Sequence, residues 1–119
     1  MMRILVVDDN ADMRESLRHL LVHHGFEAET AHDGEQALAM HRSRPYQAVI
    51  TDIYMPRNDG LEAIQAFRRE TPGIRIVAMS GGGSLARGRY LAVAIEIGAN
   101  ATLEKPFAFE ELLKALRGQ

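Results

Sequence analysis

The sequence predicts an α/β domain: one parallel sheet with helices on both faces. Three observations predict it. Residues 4–7, 48–53 and 74–79 are rich in Val and Ile and nearly unbroken in apolarity, as strands covered on both sides should be. Segments with the 3.6-residue spacing of helices lie between them. Gly25, Gly60, Gly73 and Gly98 stand at the joints, with Pro45, Pro72 and Pro106 at segment edges. Strand and helix in alternation imply parallel pairing, because each crossover back to the sheet is right-handed.

Taken in order, the first strand is ILVV at 4–7, and MRESLRHLLVHHG at 13–25 follows as a helix with Met13, Leu17, Leu20 and Leu21 on one face. A weaker second strand covers 27–31, then EQALAMHR forms the second helix. The third strand runs over 48–53 and LEAIQAFRRE is the third helix; the fourth strand covers 74–79. The stretch SGGGSLARGRY at 80–90 reads as a flexible lead into a fourth helix, a fifth strand spans 101–104, and FEELLKALR closes the chain with Leu112, Leu113 and Leu116 inward. No repeat, linker or low-complexity stretch interrupts this order, so residues 1–119 are expected to form a single three-layer domain.

Composition narrows the function. At 119 residues the chain can bury a real core, and 46% hydrophobic with 25% charged residues argues against disorder. A net charge of -2 gives no basic field for nucleic acid or an anionic membrane. The absence of cysteine removes disulfides and thiolate metal sites and fits a cytoplasmic location. The apolar start is too short for a signal peptide or a membrane span.

In an open parallel sheet, ligands bind at the carboxyl ends of the strands. Asp8 and Asp9 follow the first strand, Asp52 ends the third, Ser80 the fourth and Lys105 the fifth. Each alone has an ordinary reading: Asp8, Asp9 and Asn10 as helix caps, Asp52 at a loop entry, Ser80 as a loop hydroxyl, Lys105 as a solvated charge. Five such residues on one edge are poorly explained as five accidents. Three converging carboxylates repel by about 4 kcal/mol per pair at about 4 Å and an effective dielectric near 20. A divalent cation relieves this, and hard oxygen donors without Cys or His favour Mg²⁺. The cation would neutralise an incoming phosphoryl group, Asp52 could accept it as an aspartyl phosphate, and Lys105 and the Ser80 hydroxyl are suited to its oxygens.

VVDDN at 6–10, TDIYMPRNDG at 51–60, MSG at 79–81, GA at 98–99 and KPF at 105–107 together resemble the receiver domain of two-component response regulators, over essentially the whole chain. The resemblance implies a flavodoxin-like sheet of strand order 2-1-3-4-5, with Asp52 as phosphoacceptor. It implies Mg²⁺ held by Asp9, Asp52 and the backbone carbonyl of Tyr54, with Asp8 acting mainly through a bound water. Ser80 and Lys105 would hold the phosphoryl oxygens, Met55-Pro56 and Gly60 would shape the loop below the site, and the Lys105-Pro106 bond would be cis. A histidine kinase or histidine phosphotransfer protein would supply the phosphoryl group, a downstream protein would read it, and the domain would be a monomer or weak dimer. It would act on itself and not as an enzyme on other substrates. The chain ends directly after its last helix, as either a free-standing receiver or part of a longer regulator or hybrid kinase would.

Two places depart from the family pattern. The switch position, usually Tyr or Phe, holds Thr102, which reads as a β-branched strand residue. The 80–90 segment is unusually glycine-rich; it lacks the Lys-Ser/Thr pair of a phosphate-binding P-loop, and Gly81 keeps the pocket open. With no aromatic toggle, a phosphorylation-driven change involving Ser80 is expected to be carried by residues 81–97. His19 and His23, four apart without a suitably spaced acid, read as a solvated helical face. Two rivals remain on this fold. A Mg²⁺-dependent phosphohydrolase would want an acid where Tyr54 stands, and an interaction module that is never phosphorylated would keep the architecture without the chemistry. A flavodoxin-like electron carrier is disfavoured, because Asp8 and Asp9 would repel its cofactor's phosphate.

Overall fold

The computed structural model describes residues 2–55, 60–81 and 85–118, with only the backbone of 85–88. Five strands, β1 (Arg3–Val7), β2 (Glu27–Ala31), β3 (Ala48–Asp52), β4 (Arg75–Gly81) and β5 (Ala101–Lys105), alternate with α1 (Ala11–His23), α2 (Gly34–Ser43), α3 (Gly60–Glu70), α4 (Leu85–Ile97) and α5 (Phe109–Arg117). The strands pair in parallel in the order β2-β1-β3-β4-β5. Pro56 and the glycines at 82 and 83, to which the sequence assigned loop roles, lie outside the described residues.

The near-continuous apolarity of the central strands follows from a sheet with two buried faces. Alternate residues of one strand feed different cores: Leu5, Val7, Val49, Ile76 and Ala78 pack with α2, α3 and α4 residues such as Ala37, Phe67 and Ala94. Ile4, Val6, Ile50, Val77 and Met79 meet Leu17, Leu21, Leu112 and Leu116 from α1 and α5. Leu20 departs from the expected inward face. It is 42% exposed, because at one residue from Leu21 it lies about 100° around the helix from the buried stripe. Leu113 is half-buried, and Ala115 takes the inward position beside Leu116.

The joints explain two of the conspicuous residues. Gly98 has φ +132°, and a Cβ there would meet the Arg68 side chain at 2.9 Å. The aliphatic stem of Arg68 occupies that space, and its guanidinium donates to the carbonyls of Gly98, Pro72 and Ile74 and to Asn100 Oδ1. It thereby ties the end of α3 to the start of β4 and the approach to β5. His41, buried at 3% exposure, accepts the Tyr46 N–H on Nδ1, which leaves the Nε2 proton for Thr71 Oγ1 at 2.8 Å.

Candidate functional site

Each central strand delivers one polar residue where its apolar run ends, at the carboxyl edge of the sheet. Asp8 follows β1 and is fully buried; its N–H donates to Ala31 O on β2, and Arg14 Nη1 reaches its carbonyl at 3.1 Å. Its Oδ1 accepts the Asn10 N–H at 3.0 Å. Asn10 itself caps α1, accepting the Met13 N–H on Oδ1 at 3.0 Å. Capping therefore falls to Asn10, which leaves Asp8 Oδ2 and the exposed Asp9 carboxylate for other work.

Asp52 ends β3 at 7% exposure. Its Oδ1 accepts the Tyr54 N–H at 2.9 Å, and its Oδ2 accepts from Lys105 Nζ at 2.9 Å. The same ammonium donates to Asp8 Oδ2 at 2.8 Å, so Lys105, at the end of β5, bridges the acids that follow β1 and end β3. Burial pushes the Asp52 carboxyl above the ordinary aspartate value, and the Tyr54 N–H and Lys105 oppose this without cancelling it. Burial also works against the Lys105 ammonium, but its two carboxylate partners prevail and hold its pKa above the usual lysine value.

Carboxylate oxygens of Asp8, Asp9 and Asp52 lie within 4.8 Å of one another. Three carboxylates against the Lys105 ammonium and the Arg14 guanidinium still leave net negative charge, on donors that are all oxygen, which fits a divalent hard cation such as Mg²⁺. Gly60 makes this geometry possible from below. A Cβ at that position would stand 2.2 Å from Asp52 O and 2.5 Å from Ile53 Cα, so the first turn of α3 packs against the backbone of the site only without a side chain. The Lys105-Pro106 bond is cis, as the resemblance implied.

The structure thus brings together Asp8, Asp9, Asp52 and Lys105. Ser80 is fully buried one residue beyond the β4 partner of Asp52, with its hydroxyl turned to Gly81 O at 3.3 Å. Thr102 is half-buried in β5, paired with Ala78. His19 is exposed, in keeping with its reading as a solvated residue. The Arg14 contact to Asp8 and the ring contact of Tyr54 with Tyr90 have no sequence signal, since neither follows from helix or strand periodicity.

The site is thus an acidic cluster and a lysine at the carboxyl edge of a doubly wound parallel sheet. The family model of the response regulator receiver domain matches residues 4–117, and the chain belongs to that family. The response regulator MprA of Mycobacterium avium is 41% identical over 116 residues, covering 98% of this chain and 50% of that protein. MprA of Mycobacterium tuberculosis strain H37Rv is likewise 41% identical over 115 residues, 97% of this chain and 49% of that protein. The chain spans about half the length of the curated relatives it matches. Among solved structures, the Vibrio cholerae chemotaxis protein CheY4 superposes with a TM-score of 0.87 at 32% identity, covering 99% of this chain and 98% of that one. A receiver domain from Clostridium thermocellum gives 0.90 at 27% identity, covering 99% and 93%. The chain is a response regulator receiver domain of a two-component system. No helix among the described residues is long and apolar enough to cross a membrane.

Proposed function

We propose that this receiver takes a phosphoryl group onto Asp52 and switches a protein-binding face in response. The observation that carries the reading is the pair of bonds from Lys105 Nζ to Asp8 Oδ2 and Asp52 Oδ2, inside a group of carboxylates whose charge one ammonium does not balance. Asp9, Asp52 and the Tyr54 carbonyl would hold Mg²⁺, with Asp8 engaged through water. The ion, when bound, supplies positive charge beside the incoming phosphoryl oxygens. A carboxylate oxygen of Asp52 attacks the phosphorus of a phosphohistidine, the P–N bond breaks, and the imidazole leaves with its electron pair and takes up a proton. Lys105 exchanges part of its contact with Asp52 for a phosphoryl oxygen, and the Ser80 hydroxyl turns from Gly81 O to donate to another.

The donor is a histidine kinase or a histidine phosphotransfer protein, and the recipient of the signal is a downstream protein; nucleic acid and membrane are not direct partners of this domain. Phosphorylation and hydrolysis are self-catalysed and stoichiometric, so the domain is not an enzyme for external substrates. Thr102 contributes no ring to the switch, which places the burden on residues 81–97. Incubation with a small phosphodonor should add one phosphoryl mass per chain only when Mg²⁺ is present, and Asp52→Ala should abolish the gain. Labelling of another aspartate in that variant, or of wild type in excess chelator, would refute the assignment.

A further inference from the structure

We propose that the edge-to-face pair of Tyr54 and Tyr90 is the contact through which the state of Asp52 reaches α4. The inference rests on the phosphoacceptor reading above and adds the route of the signal. It begins with what holds residue 54: its N–H donates to Asp52 Oδ1 at 2.9 Å. Turning that carboxylate into an acyl phosphate removes charge from the acceptor and weakens the bond. Toward α3, Gly60 is packed on Asp52 O and Ile53 Cα. Toward β4, the Ile53 N–H donates to Met79 O at 2.9 Å. A change at Asp52 Oδ1 acts directly on residue 54, whose N–H that oxygen accepts.

The Tyr54 ring meets the Tyr90 ring at 5.2 Å between centroids and 73° between planes, and Tyr90 belongs to α4. That helix has a narrow anchorage in this stretch. Among the described side chains of α4, Leu91 and Ala94 are buried and Ile97 packs partly against the core, whereas Tyr90, Val93 and Ile95 are between 39% and 46% exposed. A helix with apolar residues on its open side can shift when one lateral contact changes. A ring pair of this geometry is able to move a two-state equilibrium by about two- to tenfold. Thr102 has no ring to bring to the task, so two surface aromatics, one in the loop after β3 and one on α4, supply the lever.

The test uses the whole chain, Mg²⁺ and beryllofluoride as the phosphoryl mimic, with the bound mimic counted by its fluorine resonance and backbone exchange followed over residues 89–97. Wild type should bind the mimic and change exchange rates in α4 by severalfold. Tyr90→Leu should bind it to the same extent while the α4 response falls to less than half, and Tyr90→Phe, which keeps the ring contact, should respond as wild type does. Tyrosine emission gives a second readout: the chain has 3 tyrosines and no tryptophan. Tyr46 is buried and donates to Glu29, so the emission change in wild type should come from Tyr54 and Tyr90. An undiminished α4 response in Tyr90→Leu, or a loaded wild type with a silent α4, overturns the coupling and leaves Asp52 as acceptor. A wild type that never binds the mimic overturns the acceptor reading, and the coupling falls with it.

Discussion

Asp52→Ala should make the domain more stable in the absence of Mg²⁺, and the contacts of the carboxylate say by how much. At an effective dielectric near 20, the Lys105 ammonium at 2.9 Å attracts it by about 6 kcal/mol, while Asp8, with carboxylate oxygens within 4.8 Å, repels it by at least about 3.5 kcal/mol. Exposed Asp9 repels it further through a more screening medium. About 1–2 kcal/mol of attraction is then set against the cost of burying a charge at 7% exposure, which is several kcal/mol. The variant also loses the hydrogen bond from the Tyr54 N–H, worth about 1 kcal/mol, though water can serve at the half-open edge. The balance is a gain of about 1–2 kcal/mol near neutral pH, or about 4–8 °C in Tm for a domain of this size. The folded carboxyl titrates above its unfolded value of 3.8, so its favourable contribution is complete below that value and is lost as pH rises through the folded pKa. Urea unfolding between pH 4 and 7 should therefore show wild type and variant close together at the acid end and apart at the neutral end. Added Mg²⁺ should reverse the order, because each tenfold excess over Kd stabilises the wild type by about 1.4 kcal/mol and the variant by less. A variant less stable than wild type at pH 7 without metal, or a gap that ignores pH, would refute this account of the site as a strained acidic cluster.

Gly60→Ala should cost about 2–3 kcal/mol and weaken Mg²⁺ binding together, since its Cβ would strike backbone at 2.2 Å; a urea titration paired with a metal titration checks both. Asp9→Ala should raise the Kd for Mg²⁺ at least tenfold and Ser80→Ala by less than threefold, because only the first removes an oxygen next to the ion; equal losses in calorimetry would contradict that division. Arg68→Ala should lower stability by about 2–3 kcal/mol through stranded carbonyls at Gly98, Pro72 and Ile74, and Arg68→Lys should restore less than half, because an ammonium cannot span the same fork. Burial holds the His41 pKa below its usual 6.5, so the unfolded chain takes up the proton first and stability should fall as pH drops below that value; His41→Gln should flatten this part of the pH profile.

The parts of this molecule that were legible in sequence are those that depend on neighbours along the chain. The runs at 4–7, 48–53 and 74–79 announce strands buried on both sides, and the order of strand and helix then fixes which end of the sheet carries the site. Asp8 and Asp52 stand where apolar runs stop and Lys105 ends β5, so their meeting follows from topology even though 97 residues separate Lys105 from Asp8. Helix bounds shifted by a residue or two, as with α1 over Ala11–His23, because Asn10 caps from outside the periodic stretch. What stayed hidden depends on contacts without a period. Arg68 meets Gly98 across 30 residues and His41 meets Thr71 across 30, and nothing in the spacing of either helix distinguishes these side chains from solvated ones.

Helix α4 shows the limit most clearly. Leu91, Val93, Ala94, Ile95 and Ile97 are apolar almost all around the helix, so their pattern names no buried face. The sheet decides, drawing in Leu91 and Ala94 and leaving Val93 and Ile95 exposed. A helix whose sequence does not choose one orientation has little to resist a rotation about its axis, since turning it exchanges one apolar residue for another at small cost. Apolar patterning that fails as a structural signal is, on this account, what a signalling helix needs: two orientations close in free energy, with the balance set by a contact such as Tyr54 against Tyr90.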